Sequence, residues 1–166
     1  MKSRIWRRLA LASGVALLLI QAVPYGHRRS NPPVVAEPAW DSAGTRALFF
    51  RACADCHSNQ TKWPWYARVA PVSWLVVRDV EQGRGHLNVS EWQRPQKDAK
   101  EAAEEVQAGN MPLPIYLPAH PEARLDGAEK AALVAGLEAT FGRADQGRGR
   151  GRGGDRDEGA RRDDTD

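Results

Sequence analysis

A chain of 166 residues, 42% hydrophobic and 27% charged, has enough material for one modest folded domain with extensions and excludes two large ones. The formal charge of +3 suggests a basic protein, but residues 1–30 carry six basic and no acidic side chains, and residues 143–166 carry seven of each. The middle, residues 31–142, holds 11 basic and 14 acidic residues, so it is mildly acidic and a nucleic-acid partner loses its main support.

In chain order, Lys2, Arg4, Arg7 and Arg8 precede an uncharged stretch from Leu9 to Gly26, most apolar at Val15 to Ile20. Residues 1–26 are therefore a secretory signal or an export-directing membrane anchor. No convincing small-x-small cleavage site closes the stretch, Ile20-Gln21-Ala22 being the nearest, so an uncleaved anchor is expected, with its basic N-terminus on the cytoplasmic side. Residues 27–39, with Asn31-Pro32-Pro33 and Pro38, read as an extended spacer.

Residues 40–142 show helical patterning without alternating strands. Asp41 or Ser42 can cap a helix that runs through Leu48 and Phe49 into Cys53. Ser73 can start a second, through Leu75, Val76 and Val80, ending at Gly83. Lys97 to Ala108 makes a third, stopped by Gly109, and Asp126-Gly127-Ala128-Glu129 is a capping box before a fourth, whose Leu133, Val134, Leu137 and Phe141 share a face. The expected class is all-α. Residues 143–166, rich in Gly and Arg and then in mixed charge, offer no core-forming surface and read as a disordered tail.

The chemistry concentrates in Cys53-Ala54-Asp55-Cys56-His57. Two thiols separated by two residues on a helical turn can each add across a vinyl group of one haem, while the adjacent imidazole reaches the iron. Other uses of such a pair are a redox dithiol, a structural disulfide or half of a zinc site. A redox pair is expected near a βαβ pattern, which is absent, and has no need of His57. Zinc would require two further ligands, and His86 and His120 lie far from finger spacing. A sixth ligand is offered by Met111, the one methionine besides Met1, in Gly109-Asn110-Met111-Pro112, where flanking Gly and Pro can present a thioether rigidly. Its alternative role is core filling. His86 and His120 are rival ligands, each expected rather as a surface or hydrogen-bonded side chain, and His27 lies in the spacer. Five of the six tryptophans fall in the domain, and Trp63-Pro64-Trp65-Tyr66 follows the motif closely enough to wall a haem pocket.

These segments, together with Ser58-Asn59-Gln60-Thr61-Lys62, Pro71-Val72-Ser73-Trp74, His86-Leu87-Asn88-Val89-Ser90-Glu91-Trp92, Tyr116 and His120-Pro121, resemble the bacterial haem-binding domain family of cytochrome-c-like proteins over residues 31 to about 141. The resemblance implies a cytochrome-c-like helical domain around one covalent haem c, joined through Cys53 and Cys56, with His57 as proximal and Met111 as distal iron ligand. It also implies a single-pass protein of the bacterial inner membrane facing the periplasm, because haem of this kind is attached on the outer side.

Three functions are open on the residues. An electron carrier needs a His/Met pair and no catalytic acid or base, with redox proteins as partners. A haem-based sensor or peroxidase-like enzyme needs a vacant or displaceable distal site, with His86 or His120 serving as acid or base. A structural haem-bearing subunit of a membrane complex is the third. The expectation is the carrier, a membrane-tethered monohaem c-type cytochrome rather than an enzyme.

Overall fold

The computed structural model describes residues 2–143, so the tail reading lies, from residue 144 onward, outside the described residues. The described chain is helical, and its nearest approach to a sheet is an isolated parallel bridge between Ala36 and Glu91. Helix α1 spans Lys2–Leu19 and continues as a 3-10 turn over Ile20–Ala22. The segment Ser3–Ala22 is long and apolar enough to cross a membrane, and its apolar side chains, Leu11, Leu18 and Leu19 among them, are exposed.

Five further helices follow, four of them where the sequence signals place helices. Helix α2 (Ala43–Ala52) is capped by Ser42, whose hydroxyl accepts from the backbone N–H of Thr45 at 3.1 Å. A one-turn helix α3 (Ala54–His57) then carries the cysteine motif. Helix α4 covers Val72–His86 and therefore runs through Gly83, which does not end it. The third expected helix begins as a 3-10 turn, Ala99–Glu101, before α5 (Ala102–Ala108), which stops at Gly109 in a left-handed conformation, φ 80°. Helix α6 (Gly127–Phe141) starts with both halves of the Asp126/Glu129 capping box formed.

Helix α6 packs on α2 and α5, and α3 packs on α4. Phe49, Val106, Leu133, Leu137 and Phe141 are buried where these elements meet. Trp40 lies 5.2 Å from Phe49 and 5.7 Å from Phe141 between ring centroids, and Trp92 stacks on Phe141 at 5.0 Å, so two of the tryptophans serve this aromatic core.

The α2–α6 crossing is closest at Gly136. A Cβ there would stand 2.0 Å from Thr45 Oγ1 and 2.8 Å from Thr45 Cβ. Thr45 is buried and its hydroxyl is hydrogen-bonded to Ser42, so it has little room to turn away. Gly136→Ala gains up to about 1 kcal/mol of helix propensity, but overpacking of this kind costs about 1–3 kcal/mol. The steric cost is expected to win and lower the melting temperature, with Thr45→Ala in the same chain recovering part of the loss in a thermal melt.

Residues 27–39 are extended, as their prolines require, and they lie on the domain as a strap. Asn31 Nδ2 donates to Thr61 O at 2.9 Å, Asn59 Nδ2 donates to Pro33 O at 3.1 Å, and the N–H groups of Val35 and Ala36 both donate to Ser90 O. Arg84 completes the seam from α4, donating to Ser30 O, Asn31 Oδ1, Ser58 O and Thr61 Oγ1.

Candidate functional site

A cavity of about 710 Å³ opens between α3, α4, α5 and the loop that follows α5. Its volume falls within the ~300–1,000 Å³ common for cofactor and small-molecule sites. Phe49, Val72, Leu75, Val76, Val80, Leu87, Val106, Leu113, Ile115 and Leu137 make its wall largely apolar, and Cys53, Cys56, His57 and Met111 all line it. The structure thus brings together the four residues singled out from the sequence. Of the segment 63–66, Pro64 and Tyr66 reach the cavity, whereas the two indoles do not. Trp63 instead donates from Nε1 to Asn31 Oδ1 in the strap at 3.1 Å, and Trp65 is 78% exposed. A large plate can be enclosed by aliphatic side chains as well as by aromatic ones, and here the helices supply them.

His57 is oriented by the backbone of α4. Its Nδ1 lies 3.1 Å from both Gly83 O and Leu87 O, so Nδ1 carries the proton and donates, leaving Nε2 as the lone-pair nitrogen. Burial holds the imidazole below its ordinary pKa, against the two carbonyls, and so favours the neutral, metal-binding form. The close approach depends on Gly83, since a Cβ there would meet Cys56 O at 2.5 Å and Cys56 Cβ at 2.9 Å. This glycine was the functional residue that sequence reasoning misplaced. The available signal was a glycine inside a helical pattern, which commonly marks close packing and only near a helix end marks a cap.

The thiols of Cys53 and Cys56 are free. Burial pushes both up to about 12, helped at Cys53 by Cys56 and at Cys56 by Asp55 and Asp79. That is opposite to the lowered value of a reactive redox dithiol. No group of three or more His, Cys, Asp or Glu side chains suited to a metal ion occurs among the described residues, so half a zinc site finds no other half.

The turn after the motif is fixed by a buried polar network. The His57 carbonyl accepts from the N–H of Val89 at 2.9 Å, the Asn59 N–H donates to Ser90 Oγ at 2.9 Å, and Asn88 Nδ2 donates to Asn59 Oδ1 at 2.9 Å. Within the motif, Asp55 takes a 2.7 Å hydrogen bond from the Tyr116 hydroxyl, linking α3 to the loop beyond Met111. Burial, and then this bond to Asp55, hold the Tyr116 phenol above its ordinary pKa.

The rival histidines occupy different settings. His120 is buried, stacked on Tyr116 with ring centroids 3.8 Å apart, and both its nitrogens are engaged, Nε2 with the Tyr66 hydroxyl at 2.7 Å and Nδ1 with Glu122 at 3.2 Å. It lines the cavity but has no nitrogen to offer without breaking a bond. His86 stands at the exposed rim, its Nδ1 paired with the Asp98 carboxylate. His27 is exposed and does not line the cavity. Met111 follows Gly109 and Asn110, whose turn is closed by N–H groups of Asn110 and Met111 donating to Glu105 O, and it packs against the core while lining the cavity.

A helical domain that opens a large apolar cavity onto a Cys-x-x-Cys-His turn, with an oriented neutral imidazole in its wall, has the makings of a haem protein. The family comparison agrees: the model of the haem-binding domain family matches residues 15–139, and the chain belongs to that family. Comparisons with curated proteins and with solved structures returned no match.

Proposed function

We propose that the chain is a membrane-anchored monohaem c-type cytochrome that carries single electrons on the periplasmic face of a bacterial inner membrane. The observation that carries this reading is the orientation of His57 by two backbone carbonyls beside two free thiols in the wall of one cavity. Bound haem would supply a one-electron iron couple. Cys53 and Cys56 would hold the haem covalently through thioether links. His57 Nε2 and the Met111 thioether would hold its iron, a pair that raises the reduction potential and needs no substrate pocket. Met111 is favoured over His120 because both nitrogens of His120 are engaged. The cavity's apolar wall would keep water from the iron. Helix α1 supports the membrane assignment through its length, and Arg4, Arg7 and Arg8 support an N-terminus left inside.

The test is whether colour stays with the polypeptide. After extraction with acid and acetone, wild-type protein is expected to keep its haem, and the Cys53→Ala, Cys56→Ala double variant to lose it. Haem extracted from the wild type would overturn covalent attachment.

A further inference from the structure

We propose that the haem-binding domain is clamped against the lipid surface beside its own helix, with the face formed by Trp65, Arg68 and Val69 resting in the membrane interface. The inference rests on α1 spanning the membrane and adds where the domain then sits. Three contacts join the helix end to the domain. The Gln21 side-chain amide pairs with the backbone of Ala70 in both directions, Nε2 donating to Ala70 O at 3.0 Å and Oε1 accepting from Ala70 N–H at 2.9 Å. Arg29 Nη1 donates both to Gly26 O at 2.7 Å and to Ala67 O at 3.2 Å. Gly26, in a left-handed turn at φ +83°, packs so closely on Trp74 that a Cβ would come within 2.9 Å of its ring.

These contacts place Val69 beside Leu17 and Leu18, with which it lines a shallow apolar hollow. At about 1.5 Å per residue the 20-residue stretch Ser3–Ala22 is only as long as a hydrocarbon layer of roughly 30 Å is thick, with Arg4, Arg7 and Arg8 at its inner end, so none of it is left over to lift the domain clear of the surface. The Gln21–Ala70 pair therefore falls at the boundary, and a domain residue level with Leu17 and Leu18 lies at or below the headgroups. The neighbouring side chains suit that depth. Trp65 is 78% exposed and Val69 47%, an apolar surface for water to cover, and the exposed Arg68 can meet lipid phosphates. Trp65 pairs an apolar ring with an indole N–H, the combination enriched at membrane–water interfaces.

Full-length haem-loaded protein would be reconstituted in phosphatidylethanolamine/phosphatidylglycerol vesicles containing a phospholipid with a diazirine close to its glycerol, irradiated, and mapped by peptide mass spectrometry. Label is expected on residues 65–72 as well as on α1. Label confined to α1 would show a domain standing off the membrane and overturn the proposal while leaving the anchor intact; no label on α1 would overturn the anchor itself. The Gln21→Ala, Arg29→Ala double variant, which removes the side-chain hydrogen bonds to Ala70 and Ala67, is expected to lower the 65–72 label several-fold and keep that on α1. Equal labelling in the variant would overturn the clamp.

Discussion

Gly83→Ala is expected to remove about 3 kcal/mol of stability, the upper end of ordinary overpacking, and to lower the haem content of the purified protein. The contact to be relieved is with the carbonyl oxygen and Cβ of Cys56, at 2.5 and 2.9 Å, and a backbone cannot turn aside as a flexible side chain can. Any separation of α3 from α4 also draws Gly83 O away from His57 Nδ1, so the imidazole loses orientation along with the packing. At about 4–8 °C per kcal/mol for a domain of this size, the melt should shift by more than 10 °C. Gly85→Ala supplies the control, because it lies in the same helix with nothing within 4 Å of its Cβ position. There the propensity gain of up to about 1 kcal/mol is unopposed, and the melt should hold or rise. Opposite signs two residues apart, read by thermal melts and by haem-to-protein ratio, would isolate the close approach as the cause.

Met111→Ala is expected to convert a haem that binds CO poorly into one that binds it stoichiometrically, and to lower its reduction potential, because thioether sulfur favours ferrous iron. Spectra with and without CO, and a redox titration, check both effects. His86 is the discriminating partner. It lines the rim with one nitrogen held by Asp98, so His86→Ala should leave the spectrum unchanged if Met111 is the ligand. Opening of the iron by His86→Ala, with no response to Met111→Ala, would transfer the distal position to His86 and reject the thioether assignment.

The features legible in the sequence were those decided within a few residues. Ser42 and the Asp126/Glu129 box are caps whose partners lie three residues away, and Gly109 is a left-handed stop written in one residue. The cysteine motif was legible for the same reason. Gly83 was misplaced because a glycine that ends a helix and one that admits a neighbouring backbone look alike until the neighbour is in place. The stretch Trp63–Tyr66 was read as near enough to His57 to wall the cavity, with ordinary packing open for each indole; Pro64 and Tyr66 do reach the cavity, while Trp63 turns to the strap and Trp65 to the surface. His120 is hydrogen-bonded, one of the two settings expected for it, but spacing could not name Tyr66 as its partner. What was missed was tertiary in each case, chosen by packing rather than by local preference.

The strap has a kinetic consequence. The hydrogen bonds inside α2, α4, α5 and α6 are local, whereas the strap has only partners further along the chain. Asn31 must wait for Thr61, 30 positions later, and Val35 and Ala36 must wait for Ser90. In a chain made from its N-terminus, the first segment of the domain to emerge therefore waits, but all of these partners precede α5, so the strap can be seated before α6 arrives to close on α2. Because it bonds to Asn59 and Thr61, the strap can latch the turn immediately beyond His57 before α5 and α6 exist, so the cysteine-bearing end of the cavity can be set first and the wall that carries Val106, Met111 and Leu137 closes on it afterwards.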